Sequence, residues 1–333
     1  MVHGAAGLRG HREKTMSSET SPVSPAPMPE RSLYVTGVGG FVGQHLAHMA
    51  ATGVFGECEL HSMPVRLDIR DADGLRASIA AVKPDWVIHL AARSFVPDSF
   101  VNPRDTFDVN VLGTLNLLCA LRDEGFTGRL LYVSSGDVYG SVPEDALPVS
   151  EQHPAAPRNP YAVSKLSAET LCRQWYFSEK MDVVIARPFN HIGPAQDSRF
   201  VVPGFARQIC RIAAGKQEAR MVVGDLDVSR DFSDVRDVVW AYAALLREGK
   251  PGTVYNVSSG REVLVRSILR QLCDLAGVDP AIDEDQARLR PNEQRRMVAS
   301  SERLQRDTGW KPQISLEASL VQILEHFRMN ERP

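Results

Sequence analysis

From Arg31 onward the chain alternates between short unbroken apolar runs and longer stretches with helical spacing. Ser32-Leu33-Tyr34-Val35-Thr36 has the length and residue types of a strand buried on both faces. It meets glycines at once, and Gln44 to Met49 continues as a helix. Asp85 to Leu90, Arg129 to Ser134 and Asp182 to Arg187 are strands of the same kind, and Asn110 to Glu124 has helical spacing. Apolar strands separated by helices predict an α/β fold, a doubly wound parallel sheet covered on both faces. After Pro188 the rhythm loosens. Val201 to Ala214, Leu264 to Leu275 and Ser315 to Phe327 read as helices, and Met221 to Val223 and Thr253 to Val257 as strands. The expected organisation is a first domain over 31–186, re-entered at about 231–258, and a smaller C-terminal substrate-binding lobe from 187–230 and 259–333.

Composition narrows the function classes. Residues 1–30 are polar and proline-rich around Ser17 to Pro27 and cannot build a core, so a disordered tail is expected there, or upstream sequence if translation begins at Met16 or Met28. No apolar core of a secretory signal is present in it. The formal net charge of −3 provides no single-sign field for nucleic acid or an acidic membrane. No run of about 18 apolar residues exists to span a bilayer. Five widely spaced cysteines without a C-x-x-C read as buried thiols of a reducing compartment, which places the chain in the cytoplasm. Arg295-Arg296, with Arg288 and Arg290 before them, form the densest basic run, either a solvated face or a local anion site.

Thr36-Gly37-Val38-Gly39-Gly40-Phe41-Val42-Gly43 joins the first strand to the first helix. Gly37 suits the tight turn, Gly40 a close backbone approach to a pyrophosphate, and Gly43 close helix–strand packing. The pyrophosphate then meets the free N–H groups at the helix start, opened by Phe41 and Val42. This is the signature of a Rossmann-type dinucleotide site, for NADPH or NADH. In the stretch Glu57 to Met63 the acids Glu57 and Glu59 lie early, and the expected strand end, His61-Ser62, carries neither an acid nor an arginine, so the choice of cofactor stays open. Asp68-Ile69 either faces the adenine edge or caps a helix. Ala91-Ala92, after His89-Leu90, are small residues where the backbone passes a ligand closely.

Tyr161-Ala162-Val163-Ser164-Lys165 places a phenol and an ammonium at i and i+4, on one face of a helix. The charge is expected to lower the tyrosine pKa and let it exchange a proton with a carbonyl or alcohol oxygen while hydride moves at carbon. Ser135, at the end of the Arg129–Ser134 strand, supplies a hydroxyl for the same oxygen.

These motifs together resemble the extended short-chain dehydrogenase/reductases: T-G-x-x-G-F-V-G, H-L-A-A, N-x-L-G-T at Asn110 to Thr114, S-S-G-D-V-Y-G at Ser134 to Gly140, Y-A-V-S-K, and R-P-F-N-H-I-G-P at Arg187 to Pro194. The resemblance runs from about Arg31 to Phe327. Within the family, Ser134 to Gly140, Arg187 to Pro194, Val223 to Phe232 and Arg290 to Arg296 resemble the GDP-mannose branch, and in particular its reductases of GDP-4-keto-6-deoxy-D-mannose to GDP-D-rhamnose. The resemblance implies Ser135, Tyr161 and Lys165 as the catalytic set and a small GDP-sugar as substrate. Asn190 would meet the sugar diphosphate, Arg230 the phosphate or ribose, and Arg290 with Glu293 the guanosine end; the alternative for each is a structural ion pair. Family members are often homodimers. No metal is implied.

One position departs from the pattern. The branch's dehydratases carry Thr-x-Glu before Tyr-Gly, and this chain has Ser135-Gly136-Asp137. The shorter acid favours carbonyl reduction over elimination. A dehydratase or epimerase on the same scaffold and a non-catalytic nucleotide-binding regulator are the rival readings.

Overall fold

The computed structural model describes residues 1–4, 31–285 and 294–330. Most of the predicted tail lies outside these residues, and so do Arg288, Arg290 and Glu293. In chain order the first part comprises β1 (Arg31–Thr36), α1 (Phe41–Ala50), β2 (Cys58–Ser62), α2 (Ala72–Val82), β3 (Trp86–His89), α3 (Val96–Val101), α4 (Pro103–Phe107), a π-helical turn at Asp108–Leu112, α5 (Gly113–Asp123), β4 (Arg129–Val133), α6 (Pro160–Glu179) and β5 (Asp182–Pro188). It continues through β6 (Asn190–Ile192), α7 (Val201–Ala213), β7 (Arg220–Val223), β8 (Ser229–Asp234), α8 (Val235–Glu248), β9 (Val254–Val257), β10 (Glu262–Leu264), α9 (Val265–Ala276), β11 (Ala281–Glu284), α10 (Glu302–Thr308) and α11 (Leu316–Asn330).

Six strands form one parallel sheet in the order β2-β1-β3-β4-β5-β9. Successive residues of a strand face opposite sides. Leu33, Val35 and Val133 therefore pack under α1 and α8 with Leu46 and Leu245. Tyr34 and Leu130 pack under α2, α5 and α6 with Leu75, Leu117 and Cys172. The chain leaves β1 for β2 on one side and returns to β3 on the other. The crevice at the carboxyl ends of β1 and β3 is thus the topological switch point, where open α/β sheets bind ligands.

A second core around Ile192, Phe205, Ile209, Phe232, Ile268 and Leu320 gathers α7, α9 and α11. They pack with a three-stranded sheet, β10-β8-β6, and a separate β7-β11 pair. The stretch 259–333 is not all lobe, however. Leu304 and Trp310 join the core of the large sheet, where α10 contacts α8 and β9 and the Trp310 indole donates to the Asp237 carbonyl at 3.0 Å. Asn110 to Glu124 is not one helix either, because its first residues lie in the π-helical turn. Cys58 and Cys119 are partly exposed, the other three thiols are buried, and none of the five forms a disulfide among the described residues.

Candidate active site

The glycine loop has the shape of a pyrophosphate cradle. Gly37 is left-handed at φ +78°, and a Cβ there would fall 2.6 Å from the Ala91 backbone nitrogen. A Cβ on Gly43 would fall 2.5 Å from the Gly37 carbonyl oxygen and the Val38 Cα. Around Gly40, by contrast, a Cβ meets only the Gly37 oxygen, at 3.3 Å. Gly40 also caps α1 with no side-chain partner for the first-turn N–H groups. Open space, free donors and a helix N-terminus suit a phosphate anion, so these residues fit a dinucleotide. Val42 packs against the core. Phe41 faces the lobe, its ring stacked on His191 at 6.0 Å between centroids.

Behind the loop runs an ordered hydrogen-bond chain. The Thr114 hydroxyl donates to the Asn110 carbonyl at 2.6 Å. It must then accept from His89 Nε2, 2.9 Å away. His89 Nδ1 is therefore the acceptor for the Thr36 hydroxyl at 2.7 Å, and the Thr36 oxygen accepts the Ala91 N–H at 3.2 Å. Burial, aided by the Lys165 charge, lowers His89 to about 3, so it stays neutral. The Asn110 side chain accepts from Arg93 N at 2.7 Å and donates to the Ser164 hydroxyl at 2.9 Å. Ser164 in turn donates to the Tyr161 carbonyl at 2.7 Å. One hydrogen-bonded path thus ties the cofactor loop to the start of α6.

That helix starts firmly: the Asn159 side chain accepts the Ala162 N–H at 2.7 Å, and Pro160 occupies the first turn. Tyr161 hydrogen-bonds the Ser135 side chain, and the Asp137 carboxylate is its electrostatic neighbour. Burial raises the Tyr161 pKa, Asp137 adds to the rise, and the bond to Ser135 opposes it. The lowering expected from Lys165 does not occur. The ammonium sits over the Tyr132 ring, 4.8 Å from its centroid, and burial depresses Lys165 itself to about 8, against the pull of Cys172 and Glu169.

Below this group lies an ion pair that sequence reasoning missed. Arg187 donates to both oxygens of Glu169, at 2.6 and 3.0 Å, with both side chains buried. The signal was present: Glu169 stands four residues after Lys165 and eight after Tyr161, a carboxylate on a face otherwise turned to the core.

The other predicted residues are more dispersed. Ile69 is buried in the core, so only its backbone is available to a ligand. Asp68 is exposed and bound by Arg70, whose hydrogen bonds hold its carboxyl down at about 2. It is not the cap of α2, a role Asp71 fills by accepting from Gly74. Asn190 is exposed at the start of β6 and pairs in register with Phe232 of β8. Arg230, two residues before Phe232, donates to the Ser229 carbonyl at 2.8 Å. Arg290 and Glu293 lie outside the described residues. A cleft of about 490 Å³ near Arg230 is lined by Asp227, Ser229, Glu262, Arg295 and Arg296. Another of about 580 Å³, at the end of β2, is lined by His61, Ser62, Arg66 and Ser78 among others. Tyr161 lines neither.

Residues 58–323 match the family model described as GDP-mannose 4,6 dehydratase. The chain belongs to this family. The GDP-mannose 4,6 dehydratase family sits among the extended short-chain dehydrogenase/reductases, whose parallel sheet and flanking helices the fold reproduces. The chain is 50% identical over 301 residues to GDP-6-deoxy-D-mannose reductase of Pseudomonas aeruginosa, covering 90% of this chain and 98% of that one. It is 33% identical to GDP-mannose 4,6 dehydratase 2 of Arabidopsis thaliana, over 75% of this chain and 67% of the relative. The solved structure of RMD from P. aeruginosa complexed with NADPH superposes with a TM-score of 0.86 at 49% identity, covering 90% of this chain and 99% of the other.

Proposed function

We propose that the protein is an NADPH-dependent reductase of the C4 keto group of GDP-4-keto-6-deoxy-D-mannose, with GDP-D-rhamnose as product. The observation that carries this is the placement of the Tyr161 phenol against Ser135, just after β4, with Lys165 one turn further along α6. The 50% identical GDP-6-deoxy-D-mannose reductase supports the substrate class. When bound, NADPH supplies the hydride. Tyr161, kept protonated by burial, donates its proton to the C4 oxygen. Ser135 orients that oxygen and shares the developing charge. Lys165 holds the nicotinamide ribose with its ammonium donors. Asn190 and Arg230, with Arg290 and Glu293 on sequence grounds alone, take the diphosphate and guanosine.

NADPH is favoured over NADH. The cleft at the end of β2 carries Arg66 and His61 and no carboxylate among its lining residues, so nothing there repels a 2′-phosphate. Five cysteines held as thiols, with no disulfide among the described residues, favour a cytoplasmic location. No described helix is long and apolar enough to cross a membrane. A homodimer through α3 and α6 is part of the proposal: Phe100, Val101, Val163 and Phe177 are exposed, and the last two, fourteen residues apart, share one face of α6. Sedimentation at micromolar concentration tests it.

The deciding experiment follows absorbance of reduced nicotinamide with protein, NADPH and the ketosugar nucleotide. Stoichiometric oxidation is expected, with a loss of at least ~10²-fold in Tyr161→Phe. Near-normal turnover in that variant would sink the assignment. A tightly held cofactor with no net oxidation would favour an epimerase.

A further inference from the structure

Beneath the site two buried cations share one buried carboxylate. Lys165, Arg187 and Glu169 are 4%, 6% and 1% exposed. Arg187 grips both Glu169 oxygens, and the Ser134 hydroxyl donates to one of them, so the carboxylate cannot turn away. Lys165 stands one turn before Glu169, on the same face of α6. The other groups around the ammonium carry no charge. Burial keeps the Tyr132 phenol of β4, the Tyr161 phenol and the Cys172 thiol protonated, and His89 of β3 neutral. Burial lowers Lys165 itself; of the two groups that oppose this, Cys172 and Glu169, only Glu169 is charged, as the partner of Arg187.

Stability alone is a weak reason for this arrangement, because apolar residues commonly replace a buried ion pair without loss. What sets it apart is where its members stand. Ser134 directly precedes Ser135 after β4, Arg187 lies at the end of β5 three residues before Asn190, and α6 carries Tyr161 and Lys165. One carboxylate therefore ties together the three elements that bear these site residues.

We propose that Glu169 is a positioning residue of the reaction: it pins α6 to the ends of β4 and β5, and it supplies the anion beside Lys165 that lets a buried ammonium hold the nicotinamide ribose. This rests on the reductase reading, in which Lys165 has that task. Glu169 touches neither substrate nor cofactor and acts through Ser134 and Lys165.

Glu169→Gln keeps the shape and removes the charge. NADPH affinity, read from the fluorescence of the bound nicotinamide, is titrated from pH 6 to 9.5 in both proteins. The wild type is expected to bind more weakly as pH climbs through about 8, where the ammonium loses its charge. In the variant this onset is expected about one pH unit lower, the low end of what an adjacent charge does, so binding is equal at pH 6 and about fivefold weaker at pH 8. An onset that stays where it was overturns the inference. So does a loss of the same size at every pH, which reports a damaged fold, and so does a wild-type affinity that is flat across the range. If Glu169→Gln does not fold, Glu169→Asp decides, because it keeps the charge and shortens the reach. Its onset is expected to match wild type while kcat with the ketosugar nucleotide falls about tenfold, within the cost of a ~1 Å misplacement; an unchanged kcat there overturns the inference. Wild-type protein that binds no NADPH overturns the reductase reading, whereas an unmoved onset leaves that reading standing.

Discussion

The Ser134 hydroxyl donates to the Glu169 carboxylate at 2.8 Å, with both side chains buried. Two adjacent serines follow β4, and this bond separates their roles. Ser134 is committed to the polar core beneath the site, whereas the Ser135 oxygen accepts the Asp137 N–H at 3.1 Å and meets the Tyr161 phenol. Ser135→Ala is therefore expected to lower kcat about 10²-fold with little change in melting temperature, as loss of one charge-stabilising donor does. Ser134→Ala should do the reverse, lowering stability with a smaller effect on turnover. Paired kinetics and thermal melts on the two variants check this, and the opposite assignment of effects would overturn it.

Glu169 joins α6 to β5 through Arg187, and Arg187 also lies over the Tyr139 ring, 4.8 Å from its centroid. Removing one partner of a buried pair leaves an uncompensated charge, which typically costs about 3–5 kcal/mol. Glu169→Ala is expected to destabilise the fold on that scale in urea unfolding. A change under ~1 kcal/mol would mean that water reaches Arg187 and repairs the loss.

Much of this fold was legible because strands of a parallel sheet buried on both faces are continuous apolar runs. Arg31–Thr36, Trp86–His89, Arg129–Val133 and Asp182–Pro188 all read that way. β8 was not legible. Ser229-Arg230-Asp231-Phe232-Ser233-Asp234 is polar, and its burial depends on partners far along the chain. Asp231 accepts from Ser259 and Gly260, and Asp234 from Ser319. At the site, the i, i+4 spacing of Tyr161 and Lys165 gave their shared face. It could not give the direction of the ammonium, which the Tyr132 ring of another element sets. Asp68 and Asp71 show the same limit: either could cap α2, and only the bond to Gly74 decides for Asp71.

Lys165 is expected to set the alkaline limit of activity. It is buried among Tyr132 on β4, His89 on β3, and Cys172 and Glu169 on its own helix, and burial holds it at about 8. Tyr161 is raised and stays protonated throughout the working range. As pH climbs through about 8 the ammonium loses its charge, and the Michaelis constant for NADPH is expected to rise. Stability should move the other way. A lysine whose folded pKa is depressed binds fewer protons folded than unfolded above about 8, so deprotonation relieves a buried charge and its contribution rises with pH. Activity and melting temperature measured from pH 6.5 to 9.5 test both halves. An activity that falls only in step with the melting temperature would remove Lys165 from the explanation.

Asp137 bears on which reaction the scaffold performs. It is exposed in the short 3₁₀ turn Gly136–Tyr139, near enough to Tyr161 to raise its pKa. Elimination of water from a hexose needs a base that reaches C5 and an acid that reaches the departing hydroxyl. Asp137 is one methylene shorter than the glutamate of the dehydratases. Its neighbour offers no help, because a Cβ at Gly136 would stand 3.0 Å from the Phe189 ring, and no acid or hydroxyl fits there without displacing that ring. A misplacement of ~1 Å can cost ~10²-fold. On the proposed assignment, Ser135, Tyr161 and Lys165 are all that the reduction of an existing ketone requires. Incubated with GDP-mannose and NADP⁺, the protein is therefore expected to give little or no 4-keto product by chromatography, while a supplied 4-keto-6-deoxy sugar nucleotide is reduced. Efficient formation of the ketosugar from GDP-mannose would show that an aspartate reaches C5 after all, and would replace the reductase by a dehydratase.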